Sequence, residues 1–417
     1  MESCDQTTSA HVYACLGFRK PYESNTRSTT LNMTTRELVQ STRRLREEAM
    51  NQSNQTPQAG ARTRSLARRL NNDAGIANSH NCCFMNSFLQ VLFHLPQFMN
   101  DLAEAVDKID MSYYSLLRET LRLFFEYRTA QEPIQLRKFY SVLTKYAPPL
   151  GDNRQHDVVE FILRYIEQCQ IELAPYIASP QSMDIFSKSL MLKHDPFMKN
   201  FGLTLATRVK CPSCGDHDGP LSTHYLLHVP FVESTLEKNV ALFFRTERCN
   251  CTCDKCQCNS ARVQYSIYRL PRYMLIQLDR FDPTNRKNNK AISYPTEIDF
   301  NLYANTGFFT PPLKFTNKSK FPEEYPLSNN ETQTTPNMNF NVDEDEDLGR
   351  RPPVALSKFQ LASVILHEGD FDNGHYKAAT SAAGRWTVFD NSEVYSNGNF
   401  DKSSPYVFVY EKVSADY

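Results

Sequence analysis

Two adjacent cysteines, Cys82 and Cys83, lie in the stretch NSHNCCFMNSFLQ, between a polar segment and a run typical of a helix. A cysteine attacks as the thiolate, and an unperturbed thiol, with a pKa of about 8.5, is only slightly ionised near pH 7. A helix N-terminus supplies about half a positive charge and free N–H donors, which favour the thiolate. Cys83 would begin the helix and could be a nucleophile. Two buried core thiols are the alternative, and this stretch alone leaves both open.

A histidine far along the chain could activate such a thiol. His375 begins the strand pattern HYKAAT, and a second strand pattern ends at Phe389 and Asp390. Two adjacent strands joined by a short turn can place the imidazole of His375 beside the carboxylate of Asp390. An acid on one ring nitrogen fixes the tautomer and leaves the other nitrogen free to take a thiol proton. The alternative is a histidine with an ordinary polar partner.

Seven of the twelve cysteines fall in two short clusters, CPSC and CNCTCDKCQC. The pairs with two-residue spacing are Cys211 with Cys214 and Cys253 with Cys256. Two such pairs supply the four thiolates of a structural zinc site, which is closed and leaves no position for catalysis. Cys251 or Cys258 could replace a member of the second pair, since wider ligand spacings occur. The alternative without metal is a set of reduced thiols.

The elements around these residues change in type along the chain. Helical periodicity dominates from about residue 75 to 190, as in EFILRYIEQCQIEL. Strand-like segments rich in β-branched and aromatic residues follow at 263–270, 273–281, 359–366, 375–380, 385–389 and 405–411. The sequence therefore predicts an α+β fold, with helices first and an antiparallel sheet after them.

Two segments differ from this pattern in composition. Residues 1–74 are polar and poor in apolar residues, which predicts a flexible tail, with one short helix after a capping box at 34–37. The basic stretch 61–70 is typical of a solvated charge run, with a nuclear address or an acidic-partner patch as alternatives. Residues 305–357, rich in Asn, Thr and Pro, predict a mobile insertion within the sheet half.

Composition bounds the class of protein. A chain of 417 residues with 41% hydrophobic content can bury a sizeable core without disulfides. Lys and Arg number 46 against 47 for Asp and Glu, so net charge gives no general attraction to nucleic acid or membrane. The N-terminus lacks the features of a secretory signal, and no run of 18 apolar residues occurs. We expect a soluble protein of the cytoplasm or nucleus.

The motifs together resemble those of the ubiquitin-specific proteases, which are papain-like deubiquitinating enzymes. Their cysteine box, Gly-Leu-x-Asn-x-Gly-Asn-Thr-Cys-Tyr/Phe-Met-Asn-Ser-x-Leu-Gln, is similar to GIANSHNCCFMNSFLQ. In this register the resemblance implies that Cys83 is the nucleophile, that Cys82 replaces a threonine, and that Asn78 helps form the oxyanion hole. HEGDFDNGHYKA, WTVFDN and YVFVY resemble the histidine box, which implies His375 as general base and Asp390 as its orienting acid.

Two positions depart from the family pattern. His80 stands where the family has a glycine, so its side chain could narrow the site, or its imidazole could compete for the thiolate. Asn391 follows Asp390 where many members have a second aspartate, and either residue type can orient an imidazole. The first departure leaves a catalytically impaired, ubiquitin-binding scaffold as the alternative function.

The resemblance also implies substrate contacts. DNRQHDVVEF is similar to the family's Gln-x-Asp-Ala-x-Glu-Phe segment, in which the two acids face the arginines near the C-terminal tail of ubiquitin. Asp157 and Glu160 stand at these positions, three residues apart on one helix face. Tyr376, next to His375, would line the narrow channel for the final glycines. Without the resemblance, the two acids are an ordinary solvated face.

The fold implied is that of a papain-like cysteine protease with a catalytic domain over residues 75–417. It would comprise a helical thumb (75–200), zinc-bearing fingers (201–262) and a palm with the sheet (263–417). The expected activity is hydrolysis of the isopeptide bond at the C-terminal glycine of ubiquitin. Ubiquitin and its conjugates would be the partners of a monomeric domain with one structural zinc. A zinc ribbon that binds nucleic acid is disfavoured, because no basic or aromatic patch surrounds the clusters.

Overall fold

The computed structural model describes residues 73–107, 115–177, 195–248, 253, 256–258, 260–304, 358–382, 384–396 and 398–413. Several predictions lie outside these residues. They concern the tail up to residue 72 with its capping box and basic stretch, the insertion at 305–357, and Cys249 and Cys251.

The described residues contain seven α-helices, six of which precede the strands, as the periodicity predicted. They are α1 (Cys83–Phe93), α2 (Pro96–Asp107), α3 (Leu116–Thr129), α4 (Arg137–Tyr146), α5 (Val158–Ile177), α6 (Pro196–Phe201) and α7 (Leu236–Phe243). Short 3-10 turns occupy Pro148–Gly151 and Phe300–Tyr303. Side chains cap several helices; for example, the Ser115 hydroxyl accepts a hydrogen bond from the Arg118 N–H at 3.0 Å.

Helix α1 is the centre of the helical half. All eleven of its residues are buried, which is expected of a helix that is apolar on nearly every side. Its buried amides bond to the segment before it: Asn86 donates to the Ile76 carbonyl at 3.2 Å, and Gln90 donates to the Ala74 carbonyl at 2.9 Å. These bonds fix the polar lead-in of the cysteine motif against the helix.

The strands form two sheets. They are β1 (Leu203–Cys211), β2 (Gly215–His224), β3 (Leu227–Pro230), β4 (Glu247–Arg248), β5 (Arg262–Arg269), β6 (Tyr273–Asp279), β7 (Glu297–Asp299), β8 (Lys358–Gly369), β9 (Gly374–Ala382), β10 (Arg385–Asp390), β11 (Glu393–Ser396) and β12 (Pro405–Lys412). The small sheet has the order β2-β1-β5-β4. The large sheet has the order β11-β10-β9-β8-β12-β6-β3, and β7 pairs with β8.

Strand pairing differs from the sequence prediction in two respects. The pairing of β3 with β6 is parallel, whereas the other pairings of named strands are antiparallel. Pairing also crosses the predicted subdomain limits. Strand β3, within 201–262, joins the large sheet, while β5, which has all but its first residue within 263–417, joins the small one. Residue patterns predict that a segment is extended but not which strand it meets, so the limits of thumb, fingers and palm stay predictions.

Two apolar clusters hold the domain together. One joins the helices to the near face of the large sheet and includes α1, which packs against β8, β9 and β10. The other lies among β3, β6, β8 and β12 and includes Leu236 and Val240 of α7. In the described part of the chain, none of the helices combines the length and apolar content needed to cross a bilayer.

Candidate active site

Cys83 is the first residue of α1, as predicted, and only 2% of its surface is exposed. Asn81, two residues earlier, has a φ of 52°, in the left-handed region that asparagine tolerates better than most residues. This conformation turns the chain sharply into the helix. The first N–H groups of a helix have no partner within it, so the positive end of α1 lies at the thiol.

His375 and Asp390 lie on the neighbouring strands β9 and β10, which are joined by a tight turn with Gly384 at a φ of 75°. His375 Nε2 is 2.7 Å from Asp390 Oδ1. The same imidazole shares a hydrogen bond with the Cys83 side chain. Because Nε2 is bound to the acid, Nδ1 is the nitrogen left for the thiol. The described structure therefore brings the three predicted residues together from one helix and two strands.

The charges at these three residues support one another. The hydrogen bond with Cys83 raises the pKa of His375 to about 9; burial opposes the rise, and Asp390 adds to it. Burial works to raise the pKa of Asp390, but His375 and Lys377 outweigh burial and lower it. An imidazolium between a carboxylate and a thiol is the arrangement that favours a thiolate near neutral pH.

Asn78 lies on the exposed loop before α1. Its Oδ1 accepts a hydrogen bond from the backbone N–H of Cys82 at 2.7 Å, which fixes which side of the amide is the acceptor. The other side, Nδ2, is a donor. A donor here, next to the first turn of α1, is the kind of group that stabilises an oxyanion.

Cys82 and His80 do not join the triad in this structure. Burial, followed by the nearby Cys83, raises the pKa of the Cys82 thiol to about 12, so Cys82 stays protonated, and it donates to the His80 carbonyl at 3.4 Å. The His80 ring stacks on Tyr140 of α4, with centroids 4.8 Å apart and planes at 20°. Asn81 Nδ2 donates to the Asn153 carbonyl at 2.7 Å. The loop that carries Asn78 is thus attached to α4 and to the turn before α5.

The predicted substrate residues have different surroundings. Asp157 precedes α5 and caps it, because its Oδ1 accepts from the Val159 N–H at 2.6 Å. Its Oδ2 accepts from the hydroxyls of Tyr406 at 2.6 Å and Tyr376 at 3.4 Å. Glu160, in the first turn of α5, is exposed. Asp157 is therefore part of a partly buried hydrogen-bond network, whereas Glu160 fits the solvated face that the sequence alone suggested.

Four cysteines meet at the end of the small sheet. Their sulfurs all lie within 4.8 Å of one another, and the residues are Cys211, Cys214, Cys253 and Cys256. The separations are 3.5 Å for Cys211 to Cys256 and 3.6 Å for Cys214 to Cys253. Zinc–sulfur bonds of about 2.3 Å in a tetrahedron separate sulfurs by about 3.8 Å, so the four thiols fit this ion. Cys258 contacts this cluster through its backbone: its carbonyl oxygen accepts a hydrogen bond from the Cys253 N–H at 2.8 Å. Its sulfur is not one of the four.

A family model described as ubiquitin carboxyl-terminal hydrolase matches residues 74–410. The chain belongs to this family. Ubiquitin carboxyl-terminal hydrolase 29 of Homo sapiens is 24% identical over 344 residues, covering 72% of this chain and 37% of that protein. Ubiquitin carboxyl-terminal hydrolase 36 of Drosophila mojavensis is 28% identical over 262 residues, covering 58% and 21%. The chain thus spans well under half the length of these relatives.

Solved structures of the hydrolase family share the fold. The SAGA DUB module of Ubp8, Sgf11, Sus1 and Sgf73 bound to monoubiquitin matches with a TM-score of 0.59 at 19% identity, covering 84% of this chain and 71% of that chain. The same module bound to ubiquitin aldehyde matches with a TM-score of 0.60 at 20% identity, with the same coverage. The predicted α+β fold and the resemblance to ubiquitin-specific proteases are confirmed.

The contacts that join the two halves of the site were not predicted from the sequence. Asn86 of α1 donates to Asn391 Oδ1 at 2.8 Å, and the Ile76 N–H donates to the Asn391 carbonyl at 2.7 Å. Gly75 lies so close that a Cβ there would overlap the Ser392 carbonyl. These contacts set the helix that carries Cys83 against the turn after Asp390. The available signal was a polar Asn86 within a largely apolar helix.

Proposed function

We propose that this chain is a thiol-dependent deubiquitinase, which hydrolyses the isopeptide bond between the C-terminal glycine of ubiquitin and a lysine of a conjugated protein. The observation that carries the proposal is the His375 imidazole, bonded on one side to Asp390 and on the other to Cys83. Membership of the ubiquitin carboxyl-terminal hydrolase family supports it.

In the first half of the reaction the Cys83 thiolate bonds to the carbonyl carbon of the terminal glycine, and the carbonyl electrons move to oxygen. The Asn78 amide and the first N–H groups of α1 donate hydrogen bonds to that oxyanion. His375, as imidazolium, gives its proton to the lysine nitrogen, and the carbon–nitrogen bond breaks. The lysine side chain leaves as a neutral amine, and ubiquitin remains as a thioester on Cys83.

In the second half water attacks the thioester while neutral His375 takes one of its protons. The carbon–sulfur bond breaks, and Cys83 is again a thiolate beside an imidazolium. Ubiquitin leaves as the carboxylic acid, which releases the second proton of the water to solvent and becomes a carboxylate. Asp390 stays ionised throughout, because its role is to hold the imidazole by Nε2 and to stabilise its positive form.

Ubiquitin is the substrate that we propose for this site. The solved relatives include modules bound to monoubiquitin and to ubiquitin aldehyde, which supports the choice. We propose that Glu160 and the free capacity of Asp157 bind the arginines near the ubiquitin tail, since guanidinium groups suit carboxylates. Tyr376, which is 5% exposed and bonded to Asp157, would form the wall of the channel for the final glycines.

The four-cysteine cluster is proposed to hold one structural zinc ion. Bound there, zinc would tie the β1–β2 turn to the segment at residues 253–258, and a closed set of four thiolates supplies no catalytic position. We further propose a monomeric catalytic domain acting in the cytoplasm or nucleus, where thiols stay reduced.

The deciding experiment uses ubiquitin that carries a C-terminal electrophile, with cleavage of a ubiquitin–lysine conjugate measured in parallel. We expect covalent labelling at Cys83 and release of free ubiquitin. The competing hypothesis, an impaired ubiquitin-binding scaffold, rests on His80. It predicts saturable ubiquitin binding with neither labelling nor cleavage, and that result would replace the proposed activity.

A further inference from the structure

Lys377 lies on the same face of the large sheet as the catalytic pair. It follows His375 by two residues on β9, and alternate residues of a strand share a face. The antiparallel register pairs Phe389 with Ala378, so the next step sets Asp390 opposite Lys377. Lys377 Nζ is 3.3 Å from Asp390 Oδ2, while the other carboxylate oxygen, Oδ1, is bound to His375. The two oxygens of Asp390 therefore have two different cationic partners.

A second acid holds the lysine in place. Glu368 of β8 lies directly opposite His375 in the register, and its Oε2 is 2.8 Å from Lys377 Nζ. Lys377 is only 22% exposed, so its ammonium lies between two carboxylates rather than in open solvent. Three strands thus contribute one charged network, which runs from Glu368 through Lys377 and Asp390 to His375.

We propose that Lys377 is a positioning residue of the active site. It forms an ion pair with Oδ2 of Asp390, so that Oδ1 stays aligned on His375. This inference rests on the proposed function of Cys83 and His375. The terminal torsion of an aspartate is broad, so a carboxylate with one partner can rotate. A second charged partner on the opposite oxygen removes that freedom.

The network also sets the charge around the imidazole. Lys377 adds a positive charge that opposes protonation of His375, and Glu368 partly offsets that charge. Among the described residues, the other titratable groups that act on His375 are Cys83 from α1, Asp390 from β10 and His367 from β8. Burial, aided by nearby cations, lowers the pKa of His367 to about 3, so His367 is neutral at working pH. Removing Lys377 and removing Glu368 should therefore act on His375 in opposite directions.

The test measures alkylation of Cys83 by iodoacetamide across pH, followed by mass spectrometry of the Cys83 peptide. All variants carry Cys82→Thr, so that this peptide holds a single thiol. The alkaline step of the profile reports loss of the His375 proton. For Lys377→Gln we expect this step to move up by about half a pH unit, and for Glu368→Gln to move down by a similar amount.

Turnover of a ubiquitin substrate supplies the second readout. Lys377→Gln should lower kcat about tenfold with KM nearly unchanged, and Lys377→Arg should restore kcat. The matched control is Lys358→Gln, which removes the same charge from an exposed residue of β8. Lys358 lies ten positions before Glu368, about 33 Å along the strand. It should change neither measurement. Circular dichroism confirms that each variant is folded.

Three results separate the possibilities. The proposal is overturned if the alkylation profiles of Lys377→Gln and Glu368→Gln overlay the parent profile and kcat is unchanged. Steps that move in the same direction also overturn it, because they indicate a general loss of structure. If no variant, nor the parent, turns over ubiquitin, the proposed function fails, while the alkylation profiles still decide the role of Lys377.

Discussion

The hydroxyl of Tyr406 donates to Oδ2 of Asp157 over 2.6 Å, which bonds the start of α5 to strand β12 of the large sheet. The amide of Gln277 donates in turn to the Tyr406 oxygen at 2.7 Å. Asp157 is therefore a joint between the helical half and the sheet, in addition to its proposed contact with the ubiquitin tail. Glu160 is exposed, so its proposed role is limited to contact with the ubiquitin tail.

Glu160→Gln and Tyr406→Phe should separate these two roles of the acidic pair. Losing one charge-assisted hydrogen bond costs about 1.5 to 3 kcal/mol, so Glu160→Gln should lower kcat/KM on ubiquitin about 10- to 100-fold. Its free energy of unfolding should stay unchanged. Tyr406→Phe leaves Asp157 with one partner fewer and should lower the free energy of unfolding by about 1 to 3 kcal/mol. Urea unfolding and steady-state kinetics measure both quantities.

Alkylation of Cys83 by a small reagent is the control for this pair of variants. It should hardly change in Glu160→Gln, because Glu160 lies outside the triad. Equal losses on ubiquitin and on the small reagent would mean that Glu160 supports the nucleophile instead of the substrate. An unchanged kcat/KM would mean that Glu160 is only part of a solvated acidic face and does not bind the substrate.

The choice between the adjacent cysteines is testable by substitution. Cys83→Ala should abolish probe labelling and cleavage, because the first residue of α1 carries the thiol bonded to His375. Cys82→Thr should retain both, since the Cys82 thiol donates to the His80 carbonyl and stays protonated. Undiminished labelling of Cys83→Ala would show that the assignment is wrong.

The raised pKa of His375 predicts a loss of stability at alkaline pH. The folded protein holds this proton more tightly than the unfolded chain, whose histidines titrate near 6.5. The stabilisation is therefore complete below about pH 6.5 and is lost as pH rises through about 9. Urea unfolding at pH 6.5, 8 and 9.5 measures it.

Cys83→Ala is the matched variant for this pH series, because the hydrogen bond with Cys83 is the largest cause of the shift. It should unfold with a weaker dependence on pH over the same interval. Identical pH dependence in the two proteins would argue against the thiol–imidazole pair as its source.

The stacked ring of His80 leads to a prediction about the departure from the family glycine. His80→Gly removes the contact with Tyr140 and should lower kcat on ubiquitin several-fold, because the loop that carries Asn78 loses one attachment to α4. Tyr140→Leu, which keeps His80 but removes the stack, should give a similar loss. A tenfold rise in kcat for His80→Gly would instead identify His80 as an inhibitory residue and favour the scaffold hypothesis.

Removal of the proposed zinc should act on the fold before the chemistry. Purified protein should contain about one zinc per chain, and Cys211→Ser with Cys214→Ser should lower the thermal midpoint or the solubility. Alkylation of Cys83 in the soluble fraction should remain near the parent rate, because the cluster is closed. Metal analysis that finds no zinc in fully stable protein would rule out the site. Cys258→Ser is the matched control, since its sulfur lies outside the four-thiol cluster.

The sequence predicted the residues of the candidate site better than it predicted the hydrogen bonds and ion pairs that hold them in place. Cys83, His375 and Asp390, which the structure brings together, could be singled out because each lies in a short motif. The partner of each strand could not be predicted from the sequence. The alternation of inward and outward side chains along a strand is the same whichever strand pairs with it. For the same reason the bond from Tyr406 to Asp157 and the ion pairs of Lys377 could not be foreseen. Each joins residues far apart in the chain through a register that only the folded sheet defines.

The position of β12 links the order of synthesis to the chemistry. It follows every other described strand in the chain, yet it lies between β6 and β8 in the middle of the large sheet. While the ribosome is still making it, the strands that carry His375 and Asp390 have no bridge to β6 and β3. Cys83 is synthesised 292 residues before His375 (375 minus 83), which is its proposed base. A nascent chain therefore cannot complete the large sheet until its last described strand has been inserted between β6 and β8.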